Sequence, residues 1–305
     1  MFNPYPYDDP KAVNHIPMDE DFCSSVTQTT LATAQRIIAD AAALIAEKHR
    51  CILAIDGFVS APFAQLAGQI SIQASLKKVP VTTLSTETLW MDSDLLHDKL
   101  LKYLPEDRTT DPVLLFGRLY KEGMEGLMDP EHMDVAEKKL QDFSQNGNGL
   151  LIVYGNGALI SRFRPYYDLK LYMDMTQKRT ILNIRSGKCG NIGIKEKSTY
   201  NEMLRHSYYV DFEASFPLRK ELIQNEIVQY YLAGDHPDHI QMIDIHHLKK
   251  LFRTMVTYPL RCRPVYIEGV WGGYYVKHLR NLPEDMKAII KLSDKQVGAL
   301  ANQVS

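Results

Sequence analysis

The sequence has no Cys-x-x-Cys pair. Its four cysteines, Cys23, Cys51, Cys189 and Cys262, are far apart, which argues against a zinc ribbon. Long apolar runs are also missing. The longest, Ala41 to Ala46, falls far short of the roughly 20 residues that span a bilayer, so no membrane partner is expected. Net charge is small, −2 at neutral pH, and gives no electrostatic footprint for nucleic acid or an anionic surface. Met1 to Pro10 carries Asp8 and Asp9 but no basic residue, unlike a secretory signal. These absences together give the expectation of a cytoplasmic protein of bacterial type. Internal repeats and low-complexity tracts are absent as well.

What is present is a globular balance, 45% apolar and 24% charged over 305 residues, enough for one large domain or two ordinary ones. The chain is organised around residues 51–70. The apolar run Cys51 to Ile55 is short and unbroken, as in a strand covered on both faces, and Cys51 is expected as a reduced, buried thiol. Gly57 follows at once, and Leu66 and Ile70 then recur at helical spacing. A nucleotide-binding α/β protein places its phosphate loop at this position. The Walker pattern requires Gly, four residues, then Gly-Lys-Ser/Thr. Counted from Gly57, the last three places hold Pro62, Phe63 and Ala64. Phe63 cannot neutralise phosphate charge, Ala64 cannot hold a metal, and Pro62 removes a backbone N–H. If the loop holds a phosphate at all, Gly57, Phe58, Val59 and Ser60 are the residues to present it.

In chain order, residues 1–25 read as an arm, rich in Pro, Tyr and Asp. A helix is expected from about Thr27 to Lys48, with Leu31, Ala34, Ile38, Ala41, Ala42 and Ile45 as its apolar stripe. Val79 to Ser85 reads as a second strand. Residues 93–146 read as helical, with openings at Asp111-Pro112 and Asp129-Pro130. Leu150 to Tyr154 and Asp168 to Asp174 are strands three and four. A helix with Lys178, Arg179 and Arg185 follows, then a Gly- and Lys-rich loop, Ser186 to Lys197. Another helix is expected from about Phe216 to Leu232. Alternating strands and helices imply a parallel sheet. A domain of residues 26–232 is thus expected, then a linker at 233–243 and a short α+β segment, 244–305, with a helix from Asp244 to Val256 and a strand from Arg263 to Glu268.

The pieces from about residue 50 to 195 resemble the uridine-kinase branch of the P-loop kinases. The resemblance rests on Ile55-Asp56-Gly57, Leu84-Ser85-Thr86-Glu87, Ile152-Val153-Tyr154-Gly155, Asp168 to Asp174, and Arg179 with Arg185. It implies an α/β fold, a kinase-like parallel sheet flanked by helices. It gives Glu87 the place of the family's catalytic base, and Arg179 and Arg185 the places of lid arginines that clamp phosphates. The family's Glu-Gly after the third strand is Tyr154-Gly155 here, and its Walker lysine and hydroxyl are replaced. Because phosphoryl transfer works by positioning and charge neutralisation, these losses weigh against catalysis.

A second stretch, Arg261 to Lys277 with Trp271-Gly272-Gly273, is similar to the start of the cupin domain in class I mannose-6-phosphate isomerases. Specifically, it resembles the long bacterial form with a kinase-like N-terminal extension, and the resemblance to that extension spans about residues 25–287. In that family a zinc is held by a Gln, two His and a Glu on cupin strands further on. No Gln-x-His-Pro motif follows Trp271, and residues 288–305 depart from the pattern. Zinc is therefore expected only with a complete cupin, and no cofactor or metal ligand is assigned to this chain.

The cluster His236, His239, His246 and His247, with Asp235, Asp238 and Asp244, reads as a solvated linker. Ser186 to Gly190 follows a helix rather than a strand and reads as a surface or lid loop, not a second phosphate loop. Three functions stay open: a non-catalytic binding or regulatory module with a weakly bound nucleotide or sugar phosphate; an active nucleoside or sugar phosphotransferase using Glu87; and a structural extension supporting a cupin supplied elsewhere. The sequence does not give the oligomeric state.

Overall fold

The computed structural model describes residues 16–194 and 198–257. The chain divides into two units, Asp19–Lys249 and a second made of Met1–Met18 with Lys250–Ser305. In the first, Asp19 opens α1 (Glu20–Ser25) by accepting from the Phe22 N–H. Thr29 caps α2 (Thr30–Lys48). The chain reverses at His49, in the left-handed region at φ 64°, and enters β1 (Arg50–Gly57). Next come α3 (Phe63–Leu76), β2 (Val81–Ser85) and α4 (Ser93–Leu100). Asp129 caps α5 (Pro130–Asn146), with proline in the first turn, where its missing N–H costs nothing. After β3 (Gly149–Tyr154) and β4 (Leu169–Asp174) come α6 (Gln177–Arg185) and α7 (Tyr200–His206). A π-helical turn, Ser207–Asp211, joins α7 to α8 (Phe212–Gln224). The strands β5 (Tyr230–Ala233) and β6 (Gln241–Asp244) follow. The last element among the described residues is α9 (Ile245–Met255).

Among the described residues the strands form one sheet in the order β2-β3-β1-β4-β5-β6. The first five are parallel and β6 is antiparallel to β5. This is the expected α/β class, a mostly parallel sheet flanked by helices. β1 lies between β3 and β4, and Cys51 to Ile55 are fully buried. Cys51, Leu53 and Ile55 pack with Ile37 and Ile38 of α2 and Leu66 and Ile70 of α3. Each such aliphatic side chain contributes about 1.5–3 kcal/mol by leaving water. From β1 the chain crosses to β2 on one side of the sheet, and from β4 to β5 on the other. The carboxyl end of β1 is therefore a topological switch point, where open α/β sheets form their ligand crevice.

Several boundaries differ from those read in the sequence. Asp111-Pro112 opens no helix. The Asp111 carboxylate accepts from the Phe116 N–H at 2.8 Å and Leu114 has φ 52°, so the segment turns instead. The helix expected over 216–232 begins at Phe212 and ends at Gln224. Residues 230–233 become a strand because β4 offers an unpaired edge to Tyr230, Tyr231 and Leu232. The expected linker at 233–243 stays within the sheet, since β6 pairs with β5 through Ala233↔Gln241 and Leu232↔Met242. Thr27, expected inside a helix, forms an isolated bridge with Met242. The expected strand at 263–268 and the Trp271 stretch lie outside the described residues.

Asp244 caps α9 as expected, accepting from the N–H groups of His246 and His247. The four histidines have separate surroundings. His247 stands between Asp244 and Asp21, His246 near Glu226, and His236 beside Arg179, while His239 closes a short 3-10 turn. No helix among the described residues is long and apolar enough to cross a membrane.

Candidate functional site

The switch-point loop is built on Asp56 and Gly57. Asp56 is fully buried at the end of β1. Its carboxylate accepts N–H groups from Gly57 at 2.6 Å, Gly157 at 3.0 Å and Leu159 at 2.7 Å. Burial pushes its pKa up to about 7, against the pull of those N–H groups. Asn156 donates to the Gly57 carbonyl at 2.8 Å, so the loops after β1 and β3 form one body. Gly57 must be glycine, because a Cβ there would lie 2.2 Å from the Met173 carbonyl oxygen of β4. Phe58 continues the link to β4 by donating its N–H to that same oxygen at 2.9 Å.

Beyond Gly57 the loop is filled by its own side chains. Phe58 is 1% exposed and packs on Phe212 at 5.3 Å and Phe216 at 5.6 Å between ring centroids. Val59 is buried. Pro62 precedes α3 without supplying a side-chain cap. Phe63, at the place of the Walker lysine, packs against the core. Ser60, at φ 66°, places its hydroxyl 2.9 Å from the Met175 sulfur and accepts from Asn183 Nδ2 at 3.2 Å. Thr180 donates to the Val59 carbonyl at 2.9 Å. Side chains of this chain thus occupy the inside of the loop, and none of Gly57 to Ala64 is cationic.

The loop after α6 lies against the same region. Burial raises the pKa of the Cys189 thiol, while the adjacent Ser60 hydroxyl lowers it. Asn191 donates to Asp211 at 2.7 Å. Gly193 sits against Leu96 and Trp90, where an added Cβ would lie 2.7 Å from Leu96 Cδ2. Residues 186–194 therefore run from the β1–α3 loop to the segment after β2.

The expected site residues are placed as follows. Gly57, Phe58, Val59 and Ser60 form the switch-point loop. Glu87 lies in the 3-10 turn Thr86–Thr88 just past β2, two strands from β1, about 10 Å by ordinary strand spacing. The residue is exposed, yet neighbouring protein desolvates its carboxyl and raises its pKa. Arg179 is half-buried and donates from Nε to the Asp235 carbonyl at 2.8 Å, which ties it to the β5–β6 connection. Arg185 is exposed in the last turn of α6, six residues on and about 9 Å further along the helix. The two arginines do not converge.

Sequence reasoning missed Asp56 as the residue joining two loops. The Asp-Gly pair ending a buried run was a usable signal for it. Nothing in the sequence pointed to Asn156 or to the pairing of Phe58 with Phe212.

These features define an α/β protein whose switch-point loop is closed by apolar packing. Residues 35–257 match the family model of a domain of unknown function, DUF8485, and the chain belongs to that family. No curated protein matches it. Among solved structures it is similar to the YGR205w protein, at 10% identity and TM-score 0.43, over 72% of this chain and 99% of that one. It is similar to phosphoribulokinase from Rhodobacter spheroides at 11% identity and TM-score 0.38, over 69% and 96%. A protein described as a possible uridine kinase from Bacillus stearothermophilus matches at 12% identity and TM-score 0.34, over 62% and 96%. Likenesses this distant carry no activity over to this chain.

Proposed function

We propose that the chain is a kinase-like module that does not transfer phosphate and serves as a binding, regulatory or structural domain. The observation that supports this is the packing of Phe58, Val59 and Phe63 into the place where a phosphate cradle would need open backbone N–H groups and a lysine. A loop filled from within offers no room for a phosphate chain, and phosphoryl transfer without charge neutralisation has little else to lower its barrier. Any nucleotide or sugar phosphate is bound weakly in this reading. The finer context, an extension of a mannose-6-phosphate isomerase-type protein, rests on the sequence resemblance over about residues 25–287, most specific at Arg261 to Lys277.

The test uses the purified chain with ATP and a panel of nucleosides and sugars, with thermal shift measured in parallel. Ligand binding to the native state raises its stability by mass action. The expected result is no ATP turnover above background and at most small shifts. Turnover that disappears in Glu87→Ala would overturn the reading and make Glu87 the general base.

A further inference from the structure

β2 (Val81–Ser85) is one end of the sheet as described. Among the described strands it alone has no buried residue. It pairs with β3 without a bulge, from Val81↔Leu150 to Ser85↔Tyr154. The Leu150 N–H donates to the Pro80 carbonyl at 2.8 Å, which fixes the direction of the peptide groups that follow. Within a sheet the peptide groups of successive residues point alternately to one neighbour and the other. Pro80, Thr82 and Leu84 therefore face β3, while Val81, Thr83 and Ser85 turn their N–H and carbonyl groups outward. Among the described residues no backbone group bonds to that outward row. The Ser85 carbonyl accepts from the Thr88 hydroxyl at 3.0 Å and keeps a second lone pair. An edge of this kind is ordinarily blunted by a charge, a proline or a bulge. Val81 to Ser85 has none of these within it. Thr82 and Thr83 point to opposite faces and both are exposed, so a further strand finds room for its side chains on either face.

The outward row is symmetrical about Thr83. A two-fold axis through Thr83 lays one copy of β2 antiparallel on another, the self-matching arrangement of a closed dimer. Thr83 of each copy then exchanges N–H and carbonyl with Thr83 of the other, and the Ser85 N–H of each donates to the Val81 carbonyl of the other. Directly opposed threonines are a favourable cross-strand pair. The charges fit the same axis. Along the chain, the nearest charged residues to β2 are Lys78 and Lys77 before it and Glu87 after it, all three exposed. The rotation brings the lysine end of each strand to the glutamate end of the other. A parallel arrangement would set lysine beside lysine.

We propose that the outward side of β2 is an interface with a second copy of this chain, joined by antiparallel β2–β2 pairing so that one sheet continues through two molecules. A strand this short buries little area, so the dimer is a weak, reversible one at the low end of interface size. The interface uses no residue of the β1–α3 loop, so it stands or falls separately from the reading of that loop.

The experiment is sedimentation velocity on the full chain from about 1 to about 200 μM, the range in which micromolar association is read. The wild type should pass from monomer to dimer across it. Thr83→Pro removes an outward N–H, a change that an edge strand tolerates on its unpaired side. This variant should stay monomeric throughout, with an unchanged far-UV circular dichroism spectrum. Glu87→Lys, and separately Lys77→Glu with Lys78→Glu, set like charges against each other and should each weaken the dimer about threefold or more. Combining all three substitutions should recover most of that loss, and this swap does not depend on Thr83→Pro folding. A wild type that stays monomeric would overturn the assignment, and slow hydrogen exchange at the Thr83 N–H in that monomer would give the edge to a segment of the same chain. A dimer that survives in folded Thr83→Pro, or that is indifferent to the charge reversals, would overturn it too.

Discussion

Asn156 Nδ2 donates to the carbonyl of Gly57 at 2.8 Å, across the space between the ends of β3 and β1. With the three N–H groups that Asp56 accepts, it makes the carboxyl edge of the sheet a hydrogen-bonded unit rather than a set of independent loops. Stability should therefore be concentrated where a ligand loop would ordinarily be least stable.

Asp56→Ala should destabilise the domain by about 3 kcal/mol or more, because buried N–H groups left without an acceptor cost about 1–3 kcal/mol each. Urea denaturation followed by far-UV circular dichroism measures this. A loss below about 1 kcal/mol would mean that water replaces the carboxylate and the loops are not coupled as described.

Gly57→Ala should be worse. The new methyl would meet the Met173 backbone oxygen at 2.2 Å, and backbone in a parallel pair cannot step aside cheaply. A loss beyond about 4 kcal/mol is expected, in the range reserved for a specific steric conflict, seen as poor soluble yield or a steep fall in Tm.

His247 gives a pH dependence of known sign. Asp21 and Asp244 raise its pKa above the ordinary histidine value in the fold. A raised folded pKa means that the folded state binds the proton more tightly, so the contribution is full below the unfolded pKa, about 6.5. It is lost as pH rises through the folded value. His247→Gln should thus lower Tm most near pH 5 and approach the wild type near about pH 8.5. An equal effect at both ends would remove the ion pairs from the explanation.

The chain alone should neither bind stoichiometric zinc nor interconvert mannose 6-phosphate and fructose 6-phosphate. Residues after Trp271 include a single histidine, His278, and that isomerisation needs a base and convergent metal ligands. A coupled assay with zinc supplied, and metal content measured alongside, checks this. Turnover with bound zinc would direct attention to His236, His239, His246 and His247.

Four strands were legible in the sequence: β1 and β3 as unbroken apolar runs, Cys51 to Ile55 and Leu150 to Val153, each with a glycine two residues on, β2 from its β-branched residues and β4 from its alternation; β5 and β6 were not. The helix caps at Asp129 and Asp244 were legible because their chemistry is local. The end of α8 was not, since Tyr230 to Leu232 suit either structure and only the free edge of β4 decides. Asp111-Pro112 carries a helix signal that the Asp111–Phe116 hydrogen bond overrides. At the site, the missing lysine was plain from spacing alone.

The bridge between Thr27 and Met242 has a bearing on association. Each donates its N–H to the other's carbonyl, at 3.0 and 3.3 Å. Met242 belongs to β6, the last strand on that side of the sheet among the described residues. The segment entering α2 thus uses up hydrogen-bonding groups that an outer strand otherwise offers to a strand of another molecule. One residue upstream of a helix acts here as a stopper on the sheet. Removing residues before α2 should expose β6 as a seam for chain-to-chain pairing, even where the remaining core keeps its fold.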